Sequence, residues 1–432
     1  MKRSITRSAG IIGTLTLALT ATACGGSDSD PASSSGKASI TFWGWAPGYE
    51  DAVEAFNRSH PDIKVTYQSV QPGAKGGYQK MLNAVTAGNA PCLAQVGYET
   101  LPSFAAQGAL LDVAEHASGA EGDFQEAAWK SVTLGDQVYG APVDTGPMVM
   151  FYNKEVFDSL DLAPPATWAE YEEAARKIHA SGPERYITSP YMDYDYAGLA
   201  WQADAGWFGI KDDAWQVTMA SKANRKVADY WQGLVDEGLV SNAPMYDQAW
   251  YTGLGDGDIA TVVGAVWQAG VIKGGAAKGA GKWAVAPMPQ WTEGDDQVGN
   301  AGGSATAVLA GCDAPEAAWT FAHWLSTDRK TFGDLVDKAA LYPAAKDLLD
   351  LPQLSGADEY FGGQRIYDVV AEAAPRVNSS WTWGPMMTRT SADLNDGLGK
   401  AWAGKGTLAG ALSTAQQATV SEMEKQGMEV AG

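Results

Sequence analysis

Apolar positions recur along this chain with two different periods. Ile40 to Trp43 reads as a strand, and Ile63, Val65 and Tyr67 alternate with polar residues as a second. Between them, residues 49–60 place Val53 and Phe56 on one helical face, and Pro61 stops the helix. Tyr78, Met81, Leu82 and Val85 form another helical stripe that ends at Gly88, and residues 92–96 make a third strand. Thr167 with Glu170, and Asp313 with Glu316, have the spacing of capping boxes that open later helices. Strand, helix and strand in alternation predict an α/β chain with mainly parallel sheets and helices on both faces. No internal repeat is evident.

The amino terminus reads differently. Residues 1–23 join a basic start (Lys2, Arg3, Arg7) to an apolar run from Ile11 to Leu19 and then to small residues, the pattern of a secretory signal peptide too short to remain in a membrane. Residues 19–24 resemble a bacterial lipobox, which would make Cys24 the lipid-carrying first residue of the mature protein. An ordinary cut at Ala21 to Ala23 is the competing reading. Residues 24–37, rich in Gly, Ser, Asp and Pro, read as a flexible tether. About 395 residues remain, enough for two lobes. The formal charge is −21, and losing the three basic residues of the leader takes it to −24. So acidic a surface repels phosphate backbones and argues against nucleic-acid partners.

Composition changes the picture at one residue type. The chain has 17 Trp, against 4 His and 3 Cys. Trp231 and Trp324 sit on or beside helical stripes and belong to packing. Trp43, Trp45, Trp267, Trp381 and Trp383 instead stand near Gly and Pro in turn-like stretches, where an indole can serve as a platform for a ligand. Other chemistries find little footing. The four His lack metal-ligand spacing, residues 274–281 lack the Lys-Ser/Thr of a phosphate loop, and Ser304 has no nucleophile-elbow context. Neither a metal nor a cofactor is expected.

Several segments carry a family resemblance: Ile40-Thr-Phe-Trp-Gly-Trp, Thr86-Ala-Gly-Asn-Ala-Pro leading to Tyr98-Glu99, Tyr139-Gly-Ala-Pro-Val, Met150-Phe-Tyr-Asn-Lys-Glu-Val-Phe, Pro165-Ala-Thr-Trp and Pro315-Glu-Ala-Ala-Trp. In order and spacing, the chain resembles the extracellular solute-binding proteins of bacterial carbohydrate importers, the group that includes maltose-binding protein. The resemblance implies a two-lobed, periplasmic-binding-protein-like fold with a ligand cleft between lobes joined by hinge crossings. By that pattern the chain crosses near 142–146, returns near 300–304 and crosses again near 351–361. The first lobe then comprises residues 38–142 and 304–350, and the second comprises 143–303 and 351–432. The implied protein is a monomeric sugar receptor without enzymatic activity. It would sit on the outer face of the cell membrane by its lipid anchor alone and deliver an oligosaccharide to the permease subunits of an ABC importer.

The resemblance also places ligand contacts. Glu99, with Tyr98 beside it, stands where the family has an acidic sugar-binding residue, and Asp144 lies at the first crossing. Gly303 lies at the second. Trp267 and Trp381 fall where the family stacks its sugar, with Trp43, Trp45 and Trp383 as further candidates. Tyr191 to Tyr196 corresponds to an acidic and aromatic contact segment. If extended, it puts Asp193 and Asp195 on one face and Tyr194 with Tyr196 on the other. A pyranose suits such a set, because indoles cover its C–H face and carboxylates accept from its hydroxyls. A secreted glycoside-active enzyme using Asp193 and Asp195 is the alternative, disfavoured because same-face carboxylates do not flank a bond; a non-sugar solute is a third. In the resembled fold the strands carrying Cys92 and Cys312 are neighbours, which implies a disulfide. Two buried thiols packed as apolar residues is the other reading.

Overall fold

The computed structural model describes residues 37–431. The expected signal peptide, Cys24 and all of the expected tether but Lys37 lie outside the described residues.

The strand Ala38–Gly44 pairs in parallel with Ile63–Ser69, in register from Ala38 opposite Ile63 to Gly44 opposite Ser69. The helix Tyr49–Ser59 connects them and buries Tyr49, Ala52, Val53 and Phe56. After the helix Gly77–Thr86 comes Leu93–Gly97, parallel to the other edge of Ala38–Gly44. All five of its residues are buried, Gln95 included, so its sequence does not alternate between an inner apolar and an outer polar face.

The strand Gly140–Asn153, 14 residues long, organises the rest. Its first part pairs antiparallel with Asn300–Val308, which itself runs antiparallel to Leu93–Gly97. Its second part lies between Thr261–Ala265 and Trp283–Ala286, antiparallel to both. The expected parallel order therefore holds for the three strands nearest the amino terminus, and the long strand joins them to a second group in one eight-stranded sheet. A further passage follows later in the chain. The turn Pro352–Ser355 packs on the helix Arg329–Ala339, whereas Tyr360 donates to the carbonyl of Ala276 at 2.6 Å, in the second group.

Thr167 and Glu170 form the expected capping box at the head of Trp168–Ala180. Asp313 does not cap its helix. Pro315 takes the first helical position of Pro315–Thr327, where its fixed φ already suits the turn, and Ala314 becomes the N-cap. Trp231 is fully buried, and Trp324 packs edge-on against Phe56 at 5.2 Å. Cys92 and Cys312 are disulfide-bonded with Cα atoms 4.4 Å apart, tying the start of Leu93–Gly97 to the chain just beyond Asn300–Val308. No helix among the described residues is long and apolar enough to cross a membrane.

Candidate functional site

A cleft of about 550 Å³ lies where the long strand and its antiparallel partner pass between the two strand groups. One wall grows from the carboxyl end of Leu93–Gly97, the position at which open α/β sheets place ligands. Glu99 stands there. A side chain at Gly97 would come within 2.2 Å of its carboxylate and 2.5 Å of the Tyr78 hydroxyl, so glycine makes room for both. Tyr78, on the helix Gly77–Thr86, donates to Glu99 Oε1 at 2.7 Å and accepts from the Gly97 backbone N–H at 3.0 Å. Trp45 meets the Tyr78 ring edge-on at 5.9 Å and remains half-exposed towards the cleft. Gln95 fixes the backbone below it: its Oε1 accepts from the amides of Trp45 and Ala46 at 3.0 and 3.2 Å, while its Nε2 donates to Ser304 Oγ at 3.3 Å.

Asp144 occupies the floor, on the long strand. Its Oδ1 accepts from both the backbone and the hydroxyl of Ser304, at 2.9 and 2.7 Å. Among the described residues Glu99 Oε2 and Asp144 Oδ2 accept from no other residue, so each acid is anchored by one oxygen alone. Burial raises both carboxyls to about 7, outweighing the bonds from Tyr78 and Ser304 that favour the charged form. Lys75 is the basic side chain lining the cleft, and it is exposed at the mouth, 4.0 Å from Asp247 of the opposite wall.

The opposite wall carries Trp267, Tyr194, Tyr246 and Tyr251. Trp267 is held by a bond from its Nε1 to the carbonyl of Ala301 at 3.0 Å, and Tyr194 leans on it with ring centres 6.2 Å apart. Gly302, at φ 75°, lets the backbone pass close beneath the indole.

Of the expected contacts, the structure brings Trp45, Glu99, Asp144, Tyr194, Trp267 and Gly303 to this cleft. Six others lie elsewhere. Trp43 belongs to the strand Ala38–Gly44, 8% exposed, with the Lys80 ammonium 4.3 Å from its ring centre. Tyr98 is buried and fills the space left by the missing side chain of Gly303. Asp193 and Asp195 do not share a face of an extended segment, because they open the helix Asp193–Gln202, where two residues turn by about 200°. Acidic residues are favoured in such a first turn by the helix dipole. Asp193 bonds with Asn395, accepting from its Nδ2 at 2.8 Å, and Asp195 is fully buried behind Tyr246 and Gln268. Trp381 stacks on Trp201 at 4.9 Å and 7°, with Trp383 edge-on to it at 5.2 Å. Side-chain bonds from Asn378 and Ser380 to Asp204 hold that segment on this cluster, off the cleft. Sequence reading missed Tyr78, assigned to a packing stripe, and Tyr246, which has no local pattern around it. The glycines at 73, 76 and 77 were the available signal for the first.

Comparison with known proteins gives a consistent result. Residues 44–331 match the family model described as bacterial extracellular solute-binding protein. In fold, the chain is similar to an ABC-transporter-associated binding protein of B. animalis subsp. lactis in complex with β-1,6-galactobiose, with a TM-score of 0.83, 30% identity, and 92% of this chain and 100% of that one covered. It is equally similar to the galacto-N-biose-/lacto-N-biose I-binding protein of Bifidobacterium longum in complex with lacto-N-biose, at TM-score 0.83 and 31% identity over 92% and 100% of the two chains. The arabinooligosaccharide-binding protein of Halalkalibacterium halodurans is 25% identical over 360 residues, 80% of each chain. These likenesses show a two-lobed solute-binding fold.

Proposed function

The chain belongs to the bacterial extracellular solute-binding proteins, and from that premise we propose that its cleft captures a neutral di- or oligosaccharide and hands it to an ABC importer. The observation that carries this reading is the pairing of half-exposed indoles, Trp45 on one wall and Trp267 on the other, with carboxylates anchored by a single oxygen. Apolar ring faces and hydroxyl donors are what such a set satisfies, and Lys75, the lone lining cation among the described residues, stands at the mouth, where it cannot neutralise an anionic ligand deep in the cleft. The sugars bound by the relatives support the ligand class. Trp45, Glu99, Asp144, Tyr194 and Trp267 are the contacts of this reading, with Gly303 shaping the floor.

The lobes of this reading are residues 38–142 with 304–350, and 143–303 with 351–432. A lipid on Cys24 holds the receptor at the outer face of the membrane, and residues 24–37 give it reach to the permease. The protein binds sugar and leaves it unchanged. A thermal-shift and calorimetric panel of β-1,6-galactobiose, lacto-N-biose, lactose and arabinooligosaccharides tests the proposal. A cognate sugar at a hundred times its Kd is expected to stabilise the protein by about 2.7 kcal/mol and to be recovered intact. Silence across the panel, or cleavage of the sugar, sinks the reading.

A further inference from the structure

Tyr246 is out of the ordinary in two independent respects. Its φ is 70°, a left-handed conformation that a bulky side chain adopts only when its surroundings enforce it, and such residues gather at ligand clamps. Its hydroxyl also closes a triangle of hydrogen bonds. Gln268 Nε2 donates to Tyr246 Oη and to Asp195 Oδ1, both at 2.9 Å, and Tyr246 donates to Asp195 Oδ2 at 3.3 Å. Gly264 makes room for Gln268, since a side chain there would meet its Oε1 at 2.0 Å. The Tyr246 ring leans on Trp250 at 5.3 Å, and the next residue, Asp247, reaches Lys75 across the mouth.

We propose that Tyr246 contacts the ligand and that Asp195 is a positioning residue, acting on the sugar only through Tyr246, which it and Gln268 hold in a strained pose against the cleft. The proposal rests on the sugar-binding reading above. Tyr246 lines the cleft whereas Asp195 has no exposed surface, so a direct contact between Asp195 and sugar has no path. Burial and the neighbouring Asp193 push the Asp195 carboxyl well up, towards the neutral acid. An amide is the natural mimic of that form: in the neutral acid Oδ2 carries the proton and donates to Tyr246 Oη, and asparagine Nδ2 donates in the same place while its Oδ1 still accepts from Gln268.

The test is a double-mutant cycle on the mature chain, using whichever of β-1,6-galactobiose, lacto-N-biose and arabinotriose binds most tightly. Asp195→Asn is expected to stay within about threefold of wild-type affinity and Asp195→Ala to bind about tenfold more weakly; in a Tyr246→Phe background Asp195→Ala should cost less than about twofold more. An Asn variant as weak as the Ala variant, or losses that multiply in the cycle, overturns the proposal. Should Asp195→Ala not fold, Gln268→Ala takes its place in the cycle. Binding of none of these sugars would refute the sugar reading itself. Ligand-free crystals of the Ala variant then decide this proposal separately, a displaced Tyr246 ring supporting it and an unmoved ring overturning it.

Discussion

The two walls of the cleft hold polar groups in opposite ways. On the first, Trp45, Tyr78, Gln95 and Glu99 come from one stretch of chain, and their bonds end largely on backbone: Gln95 on the amides of Trp45 and Ala46, Tyr78 on the amide of Gly97. On the second, Tyr194, Tyr246 and Trp267 come from distant segments, and a side-chain triangle maintains a backbone pose that the chain alone would not choose. A wall anchored on strands is as stable as the sheet beneath it. One anchored on side chains depends on each partner, so single substitutions should reach further there.

The largest effect expected is one that separates stability from binding. Replacing both Cys92 and Cys312 by Ser frees a loop of 220 residues and should lower unfolding stability by about 2–4 kcal/mol in urea melts, while calorimetry finds sugar affinity unchanged. A parallel fall in affinity would mean that the first wall is less firmly seated than its bonds imply. Next come the platforms. Trp45→Ala and Trp267→Ala should each remove about 1–3 kcal/mol of binding, with Trp381→Ala as the control that alters stability only. Loss of affinity in the control would bring the Trp201 and Trp381 cluster back to the ligand. Glu99→Gln keeps shape and removes charge, for an expected loss of about 1–2 kcal/mol in binding. Wild-type affinity for that variant would take Glu99 out of the site.

The remaining effect is a slope with pH. Glu99 and Asp144 hold protons up to about 7 in the folded chain, whereas free carboxyls of their types release them at 4.5 and 3.8. Between those values the folded state binds more protons than the unfolded state, so these two acids make stability fall as pH rises towards 7 and contribute no further change above it. Melting temperatures of the ligand-free protein should show this, with a shallower slope for Glu99→Gln. A variant slope equal to wild type would contradict the buried placement of Glu99.

What the sequence revealed, and what it hid, follows the same division. The strand Leu93–Gly97 was legible because most of its residues are apolar, and Glu99 because the family resemblance and its place beyond a strand's carboxyl end singled it out. Thr167 declared its helix through purely local chemistry. Asp193 and Asp195 misled, since alternating Tyr and Asp satisfies the strand pattern while the dipole of Asp193–Gln202 rewards the same acids in its first turn. The loop-like Trp383 and Trp381 gave no sign that Trp201 and Trp207, some 175 residues earlier, would pack with them. Tyr246 could not have been found locally, because its conformation is imposed by residues 51 and 22 positions away.

One feature of the fold joins the two strand groups. The strand Gly140–Asn153 is hydrogen-bonded to Asn300–Val308 on one side of Pro147 and to Thr261–Ala265 on the other. Paired strands carry a right-handed twist of roughly 20–25° from one to the next. The two strand groups are therefore carried on one continuous strand, and its ladder changes partners beside Gly302 and Gly303 at φ 75° and 88°. Asp144 and Ser304 bridge the two passages on that strand, so the buried acid of the cleft floor and the pairing of the two strands are one mechanical unit.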